Sequence, residues 1–121
     1  MTAPALHVEL EVDPAEVTQE TLDLATVSGA VTNLGAETID TRVRTSELRV
    51  NGESLPTWGL AIGNGPRDER EYALPPGERV EFSRVMGDSL FHGPGDYEFV
   101  LSVLGVDSES ARVSLIVASS Q

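Results

Sequence analysis

The side chains that could carry catalysis are few in this chain. The 121 residues include no cysteine and no lysine, and two histidines, His7 and His92. Disulfides, thiolate metal sites, cysteine nucleophiles and Schiff-base chemistry are therefore excluded. Ser89, His92 and Asp96 supply the residue types of a hydrolase triad. Because these residues group around one Gly/Pro turn rather than converging in a pocket, we expect a solvated turn and a protein that is not an enzyme.

Candidate metal ligands are equally sparse. The sequence has no Asp-Xaa-Asp-Xaa-Asp loop and no His-Xaa-Xaa-Xaa-His pair. Asp88, Asp96 and Glu98 could share a weak calcium site, since calcium takes carboxylate oxygens. In so acidic a chain, however, scattered carboxylates are more often a solvated surface. We therefore expect no bound metal and no cofactor.

The charge balance limits the partners. Asp and Glu number 20 against eight basic residues, all arginine, which gives a net charge of -12. Such a surface repels nucleic-acid phosphates and anionic lipid. Arg42, Arg44 and Arg49 form the one local basic group, and we expect them to pair with acidic neighbours such as Asp40 and Glu47. We predict no nucleic-acid partner and no membrane partner.

The N-terminal residues bear on the location of the protein. They lack the basic and apolar regions of a signal peptide, and no run of apolar residues approaches the length of a membrane span. This pattern predicts a soluble cytoplasmic protein. A chain whose leader had been removed would show the same pattern.

Apolar residues alternate with polar ones through most of the chain, which is the signature of half-buried strands. In the first of them, Leu6, Val8, Leu10 and Val12 alternate with polar residues. No stretch of ten or more residues has a helical period. The predicted strands cover residues 6–12, 21–33 with a bulge near residue 25 or 26, 38–45, 48–50, 79–82, 97–104 and 111–117.

Seven or eight short strands joined by Gly, Pro and Asn turns predict an antiparallel sandwich. Asn51-Gly52 is the strongest hairpin signal. At this length we predict an all-β, immunoglobulin-like β-sandwich that forms one domain over residues 1–121. Tyr97 follows a Gly-Asp turn and fits a tyrosine corner, whose hydroxyl bonds to upstream backbone.

Three turn motifs resemble those of a known family. The segments are Val31-Thr32-Asn33-Leu34-Gly35, Leu74-Pro75-Pro76-Gly77-Glu78 and Gly93-Pro94-Gly95-Asp96-Tyr97. Together they resemble bacterial Ig-like modules of the CARDB type, which implies an Ig-like fold. The order of residues 48–52, Trp58 and the last two motifs is also similar to the intracellular proteinase inhibitor family named BsuPI. That narrower resemblance implies inhibition of a protease.

Residues 53–71 form the longest segment without a two-residue period. Trp58, Leu60 and Ile62 are large apolar residues among glycines, and the charged run that follows contains Arg67 and Arg70. Tryptophan and arginine often anchor protein interfaces, so the segment could be a recognition loop with one short strand inside it. Trp58 could instead fill the core of the sandwich, as a lone tryptophan often does.

Two functions remain open. The first is a non-enzymatic module that binds another protein through Trp58, Leu60, Ile62, Arg67 and Arg70; a proteinase inhibitor acting through residues 53–71 is one form of it. The second is a structural protein that self-associates or joins a complex through a sheet edge, for which residues 47–51 are the candidate strand.

Overall fold

The computed structural model describes residues 5–13, 15–18, 20–63, 68–91 and 93–116, and they form two packed β-sheets. The first sheet has the order β1-β3-β6 and the second β2-β9-β7-β4-β5, with β8 paired to β7. The strands are β1 (Leu6–Asp13), β2 (Glu16–Val17), β3 (Thr26–Asn33), β4 (Glu47–Val50), β5 (Glu53–Ser54), β6 (Arg79–Val85), β7 (Gly95–Val103), β8 (Val106–Asp107) and β9 (Ala111–Leu115). All pairs are antiparallel except β2 with β9.

The predicted immunoglobulin-like sandwich is confirmed. The described ranges contain nine strands rather than seven or eight, because three two-residue strands extend the second sheet. They also contain one α-helix, α1 (Pro56–Gly63), and 3₁₀ turns at Leu22–Leu24, Val43–Thr45, Glu69–Glu71 and Gly87–Leu90. None of these helical segments is long and apolar enough to cross a membrane.

The core lies between the two sheets and follows the two-residue period. Val8 and Val12 are buried, whereas Glu11 is exposed, as the alternation predicts. Gly29 lets the sheets approach closely, since an added Cβ would lie 2.6 Å from the Phe82 ring and 2.8 Å from Leu101 Cδ2. Real Cβ atoms do not approach other atoms so closely, so a larger residue here would have to displace these side chains.

Tyr97 forms the predicted tyrosine corner. Its hydroxyl donates a hydrogen bond to the carbonyl of Gly93, four residues upstream. Phe91 meets the Tyr97 ring edge-on at a centroid distance of 5.0 Å. This end of β7 is therefore held by both a hydrogen bond and aromatic packing.

Two predicted strands are wrong in part. Residues 22–24 form a 3₁₀ turn and β3 begins at Thr26, so a turn rather than a bulge explains the change of phase. Residues 38–45 are not a strand: Ile39 makes a single bridge to Leu74, and Val43–Thr45 is a 3₁₀ turn. Thr41 donates from its amide and its hydroxyl to the Glu71 carbonyl, so its backbone bonds to the segment at residue 71 instead of to a strand.

The helix α1 was not expected from the sequence. Pro56 occupies its first position, where the fixed φ of proline suits a helix start. Trp58 and Ile62 are four residues apart and form its buried face. Gly59 lies between them and Gly63 directly follows Ile62, and these glycines hide the helical period in a segment this short. The last predicted strand ends at Leu115, and Val117 lies outside the described residues.

Candidate functional site

The helix α1 is held in place by Trp58, which is 0% exposed. The Trp58 ring lies 6.4 Å from that of Phe82, and its Nε1 donates to Ser46 Oγ over 2.9 Å. Ile62 is buried on the same face. Trp58 and Ile62 therefore fill the core, which is the second of the two interpretations for this tryptophan, and neither side chain presents a surface to a partner.

The opposite face of α1 carries Leu60, whose exposure is 69%. The C-terminal end of the helix is held by Arg84, whose Nε donates to the Ala61 carbonyl over 3.0 Å. A cation is favourable there, because the last carbonyls of a helix carry partial negative charge. Leu60 is thus an apolar side chain displayed on a helix that is fixed on its other face.

Residues 68–71 form a second fixed point in the same segment. Asp68 and Glu71 make a capping box around the 3₁₀ turn, and Arg70 pairs with Asp68 at 2.8 Å. The hydrogen bonds from Arg70 lower the pKa of Asp68 below its ordinary value. Arg70 also donates to the Arg79 carbonyl over 3.2 Å. Its side chain is exposed, but partners within the chain hold it in place. Arg67 lies outside the described residues.

The turn at residues 40–46, here called the arginine turn, packs against this segment. Arg42 has a left-handed backbone with φ of 51°, which non-glycine residues seldom adopt. Two bonds hold it there: the Arg42 amide donates to Asp40 Oδ1 over 3.0 Å, and Thr45 Oγ1 donates to the Arg42 carbonyl over 2.9 Å. Such a conformation persists because the surrounding structure fixes it.

A cleft of about 480 Å³ separates the arginine turn from the end of the segment. Its lining includes Arg42, Arg44, Gly63, Glu71 and Tyr72. Arg44 donates from one terminal nitrogen to the Tyr72 hydroxyl over 3.2 Å. Its Nε is buried and has no hydrogen-bond partner among the described residues. Tyr72 and this cleft were not predicted from the sequence, because the alternation of residues 38–45 indicated a strand.

The expected pairing of the basic group holds for one arginine of three. Arg49 pairs with Glu47 at 3.2 Å and with Asp107 at 2.5 Å. The hydrogen bond between Arg49 and Asp107 raises the pKa of Arg49 and lowers that of Asp107. For Arg42 and Arg44 the expectation is wrong: neither has an ion pair within the described part of the chain, because the turn removes both from strand register.

The candidate triad and calcium residues do not assemble into a described site. The Ser89 hydroxyl donates to the Met86 carbonyl over 2.7 Å, while Asp96 accepts from Ser114 Oγ over 2.7 Å. Glu98 pairs with Arg112 at 3.6 Å. His92 and the side chain of Asp88 lie outside what the structure describes. Among the described residues, no group of three His, Asp or Glu side chains could hold a metal ion.

The predicted edge strand is not at an edge. β4 (Glu47–Val50) lies between β7 and β5, and the Leu55 amide donates to the Leu48 carbonyl. Within the described ranges, the outer strands are β1 and β6 in the first sheet and the two-residue β2 and β5 in the second. The long outer strands therefore belong to the first sheet.

The fold defines the chain as an Ig-like β-sandwich module. It is similar to the CARDB domain of the PF1109 protein from Pyrococcus furiosus, which was solved in complex with di-metal ions, with a TM-score of 0.60 and 19% identity over 98% of both chains. It is also similar to the alkylpurine DNA glycosylase AlkC of Pseudomonas fluorescens, solved bound to DNA containing an abasic site analog. That match has a TM-score of 0.58 and 15% identity, and it covers 95% of this chain but 31% of AlkC. No protein-family model matches the sequence, and neither does any curated protein.

These similarities confirm the resemblance to CARDB-type modules at the level of the fold. The metal ions are those of the PF1109 domain and carry no inference for this chain. The two structures do not bear on the narrower resemblance to BsuPI, which stays a prediction.

Proposed function

We propose that this chain is a non-enzymatic, cytoplasmic Ig-like module that binds another protein. Its contact surface is formed by the exposed side chains Leu60, Arg70 and Tyr72, with the arginine turn beside them. The CARDB-like fold supports a module of this kind, since such sandwiches display variable segments on a rigid frame. Fold alone does not define a function, so the proposal depends on the surface itself.

The observation that carries the proposal is the exposure of Leu60 on a rigidly supported helix. Trp58 and Ile62 fix one side of α1, and Arg84 fixes its C-terminal end. A leucine that is 69% exposed on a fixed helix contributes apolar area to an interface without first having to be ordered. Tyr72, also exposed, is of a residue type that is enriched at binding hot spots.

Inhibition of a protease is the narrower form of this proposal, and it rests on the sequence resemblance to BsuPI. The structure limits how it could work. Residues 56–63 are helical, so they do not present the extended backbone that a protease cleft accepts. An inhibitor of this shape would therefore contact the protease with side chains of α1 and the arginine turn.

The test compares three baits in a quantitative pull-down from the source lysate: the native chain, Leu60→Asp and Leu34→Asp. Leu34 is a matched control, since it is 63% exposed and lies in the turn after β3, outside the segment. We expect a protein that is retained by the native chain and by Leu34→Asp but lost by Leu60→Asp. Equal capture by all three baits would contradict the proposed surface. A protease whose activity falls on adding the native chain, but not Leu60→Asp, would establish the narrower form.

The register of the first sheet supports a second candidate, self-association through β1. The Leu34 amide donates to the Ala5 carbonyl, so hydrogen-bonded pairs recur at every second residue from there. The backbone groups of Leu6, Val8, Leu10 and Val12 therefore face away from β3, and no described strand pairs with them. A row of this kind is a template for strand addition.

Light scattering over a range of concentrations tests this candidate. Self-association predicts a mass that rises with concentration for the native chain and stays at the mass of one chain for Leu10→Pro. This substitution removes one outward amide and keeps the hydrogen bonds to β3. A mass that stays at one chain throughout would exclude it.

A further inference from the structure

We propose that the cleft between the arginine turn and Tyr72 is a subsite for a carboxylate side chain of the partner protein. Arg44 and Arg42 would supply the positive charge, and the Tyr72 hydroxyl would supply a further hydrogen bond. This inference rests on the proposed function and names the chemistry of one residue on the partner.

Arg42 and Arg44 differ from the other described arginines in their partners. Arg49, Arg70, Arg79 and Arg112 each pair with at least one carboxylate, and Arg84 donates to backbone carbonyls. Arg42 and Arg44 line one cleft, and neither pairs with a carboxylate among the described residues. In a chain with 20 acidic residues, two adjacent cations without such a partner are an unusual local arrangement.

The carboxylates that already line the cleft have other partners. Asp40 accepts from the Arg42 amide over 3.0 Å, and this bond holds the backbone of the turn. Glu71 accepts from the Asp68 amide over 3.4 Å as half of the capping box. Both carboxylates thus support the walls of the cleft rather than pairing with its guanidinium groups.

The two walls of the cleft are fixed before any ligand binds. Thr41 ties the two walls together through its two bonds to the Glu71 carbonyl, of 2.9 and 2.7 Å. Trp58 holds the far end of the turn through Ser46. A binding group that is already fixed loses little conformational freedom when its ligand arrives. The left-handed Arg42 is part of the same fixed turn.

The chemistry of the three side chains suits a carboxylate. A guanidinium presents paired N–H donors that match the two oxygens of a carboxylate. The Tyr72 oxygen accepts from Arg44, which leaves its O–H hydrogen free to donate to the same ligand.

A carboxylate fits better than a nucleic-acid phosphate. Binding a phosphate backbone requires several cations along the path of the strand. Here two arginines stand beside Asp40 and Glu71, on a chain with a net charge of -12. One singly charged group can be accommodated by this cleft, whereas a polyanion would meet repulsion beyond it.

NMR titration of the purified full chain tests the subsite directly. The probes are the capped peptide acetyl-Ala-Ala-Asp-Ala-Ala-amide, the same peptide with Asn in place of Asp, and a short oligothymidylate. We expect the Asp peptide to shift the signals of Arg44 and Tyr72 in a saturable way. The affinity of the Asn peptide should be lower by a factor of about ten or more. Equal binding of the two peptides, or no saturable shift, would overturn the subsite. Stronger binding of oligothymidylate at the same signals would replace it with a nucleic-acid site.

Variants separate the subsite from general effects of charge. Arg42→Asn and Arg44→Gln should each weaken the Asp peptide by about tenfold. The matched control is Arg112→Gln, because Arg112 is 83% exposed and lies in β9 on the second sheet. The indole signal of Trp58, the sole tryptophan, reports whether each variant keeps its fold. Full binding by a folded Arg44→Gln chain would refute the assignment.

The two proposals can fail separately. If neither peptide binds while Leu60→Asp still loses its captured protein, the carboxylate subsite is refuted and the proposed surface stands. If the Asp peptide binds through Arg44 while no captured protein depends on Leu60, the subsite stands and the proposed surface is refuted.

Discussion

The sandwich and the segment that packs against it bury their side chains by different means. In the two sheets, alternate residues point inward, and opposite charges meet on the outside, as where Arg79 pairs with Glu81 on its own strand and with Glu9 across β3. In the arginine turn and residues 53–72, one large side chain, Trp58, and a few bonds between side chains and backbone do most of the positioning.

The two regions therefore differ in which side chains they expose to solvent. In the sheets, arginine–carboxylate contacts join outward side chains within one strand or across strands, as in Arg49 with Asp107 and Arg112 with Glu98. The turn and helix follow no strand register, and they expose Leu60, Tyr72, Arg42 and part of Arg44 without carboxylate partners. The second region is therefore where binding by this protein is expected.

The largest effect is expected from removing the support of the second region. Trp58→Ala leaves a cavity in the core, and we expect it to lower the free energy of unfolding by about 3–5 kcal/mol. Ser46→Ala removes the bond to the indole alone, for which we expect about 1 kcal/mol. Chemical denaturation measures both. A loss under 1 kcal/mol for Trp58→Ala would show that the segment does not depend on this side chain.

Close packing in the sheets is tested by a pair of glycines. Gly29→Ala places a Cβ against Phe82 and Leu101, and we expect a loss of about 1–3 kcal/mol from overpacking. Gly59→Ala in α1 meets open space, and we expect a gain of about 0.5–1 kcal/mol from helix propensity. Thermal unfolding of the two variants should move in opposite directions. A shift of the same sign would undermine the contrast between the regions.

The strain in the arginine turn predicts a smaller change of unusual sign. Asparagine tolerates the left-handed conformation better than arginine, so Arg42→Asn should stabilise the fold by up to about 1 kcal/mol. The same variant should weaken binding of the Asp peptide. Denaturation and the NMR titration together measure the two effects. A destabilised Arg42→Asn would show that the arginine side chain supports the turn.

The smallest effect concerns the paired charges of the sheets. Arg49 holds the pKa of Asp107 below its ordinary value of 3.8 in the folded state. The pair therefore stabilises the fold above pH 3.8, and this contribution is lost as the pH falls through the lowered pKa. In Arg49→Gln we expect the Asp107 pKa, followed by NMR, to rise back toward 3.8. An unchanged Asp107 titration would show that the pair does not form in solution.

Much of the sandwich could be predicted from the sequence, because a two-residue period is a local property. The strands around Val8, Phe82 and Phe99 and the tyrosine corner at Tyr97 were predicted from alternation and turn residues alone. The turn motifs also indicated the CARDB-like fold, which the structural similarity confirms.

The candidate site could be predicted only in part. The exposed Leu60 and Arg70 lie in the segment singled out from the sequence. Arg42 and Arg44, however, alternate with Thr41 and Val43 as they would in a strand, and the sequence pattern contains no sign of the turn. The bonds from Thr41 to Glu71 that displace a strand join residues 30 positions apart, so they are invisible to any local pattern.

The sequence therefore determines which residues alternate, where turns fall and how acidic the surface is, since each depends on residue type and short spacing. Tertiary contacts determine that Trp58 is buried and bonded to Ser46, and that residues 40–46 form a turn. They also determine that Arg42 and Arg44 line one cleft with Tyr72. These depend on which distant backbone groups compete for the same hydrogen bonds, and that competition is resolved only when the whole chain has folded.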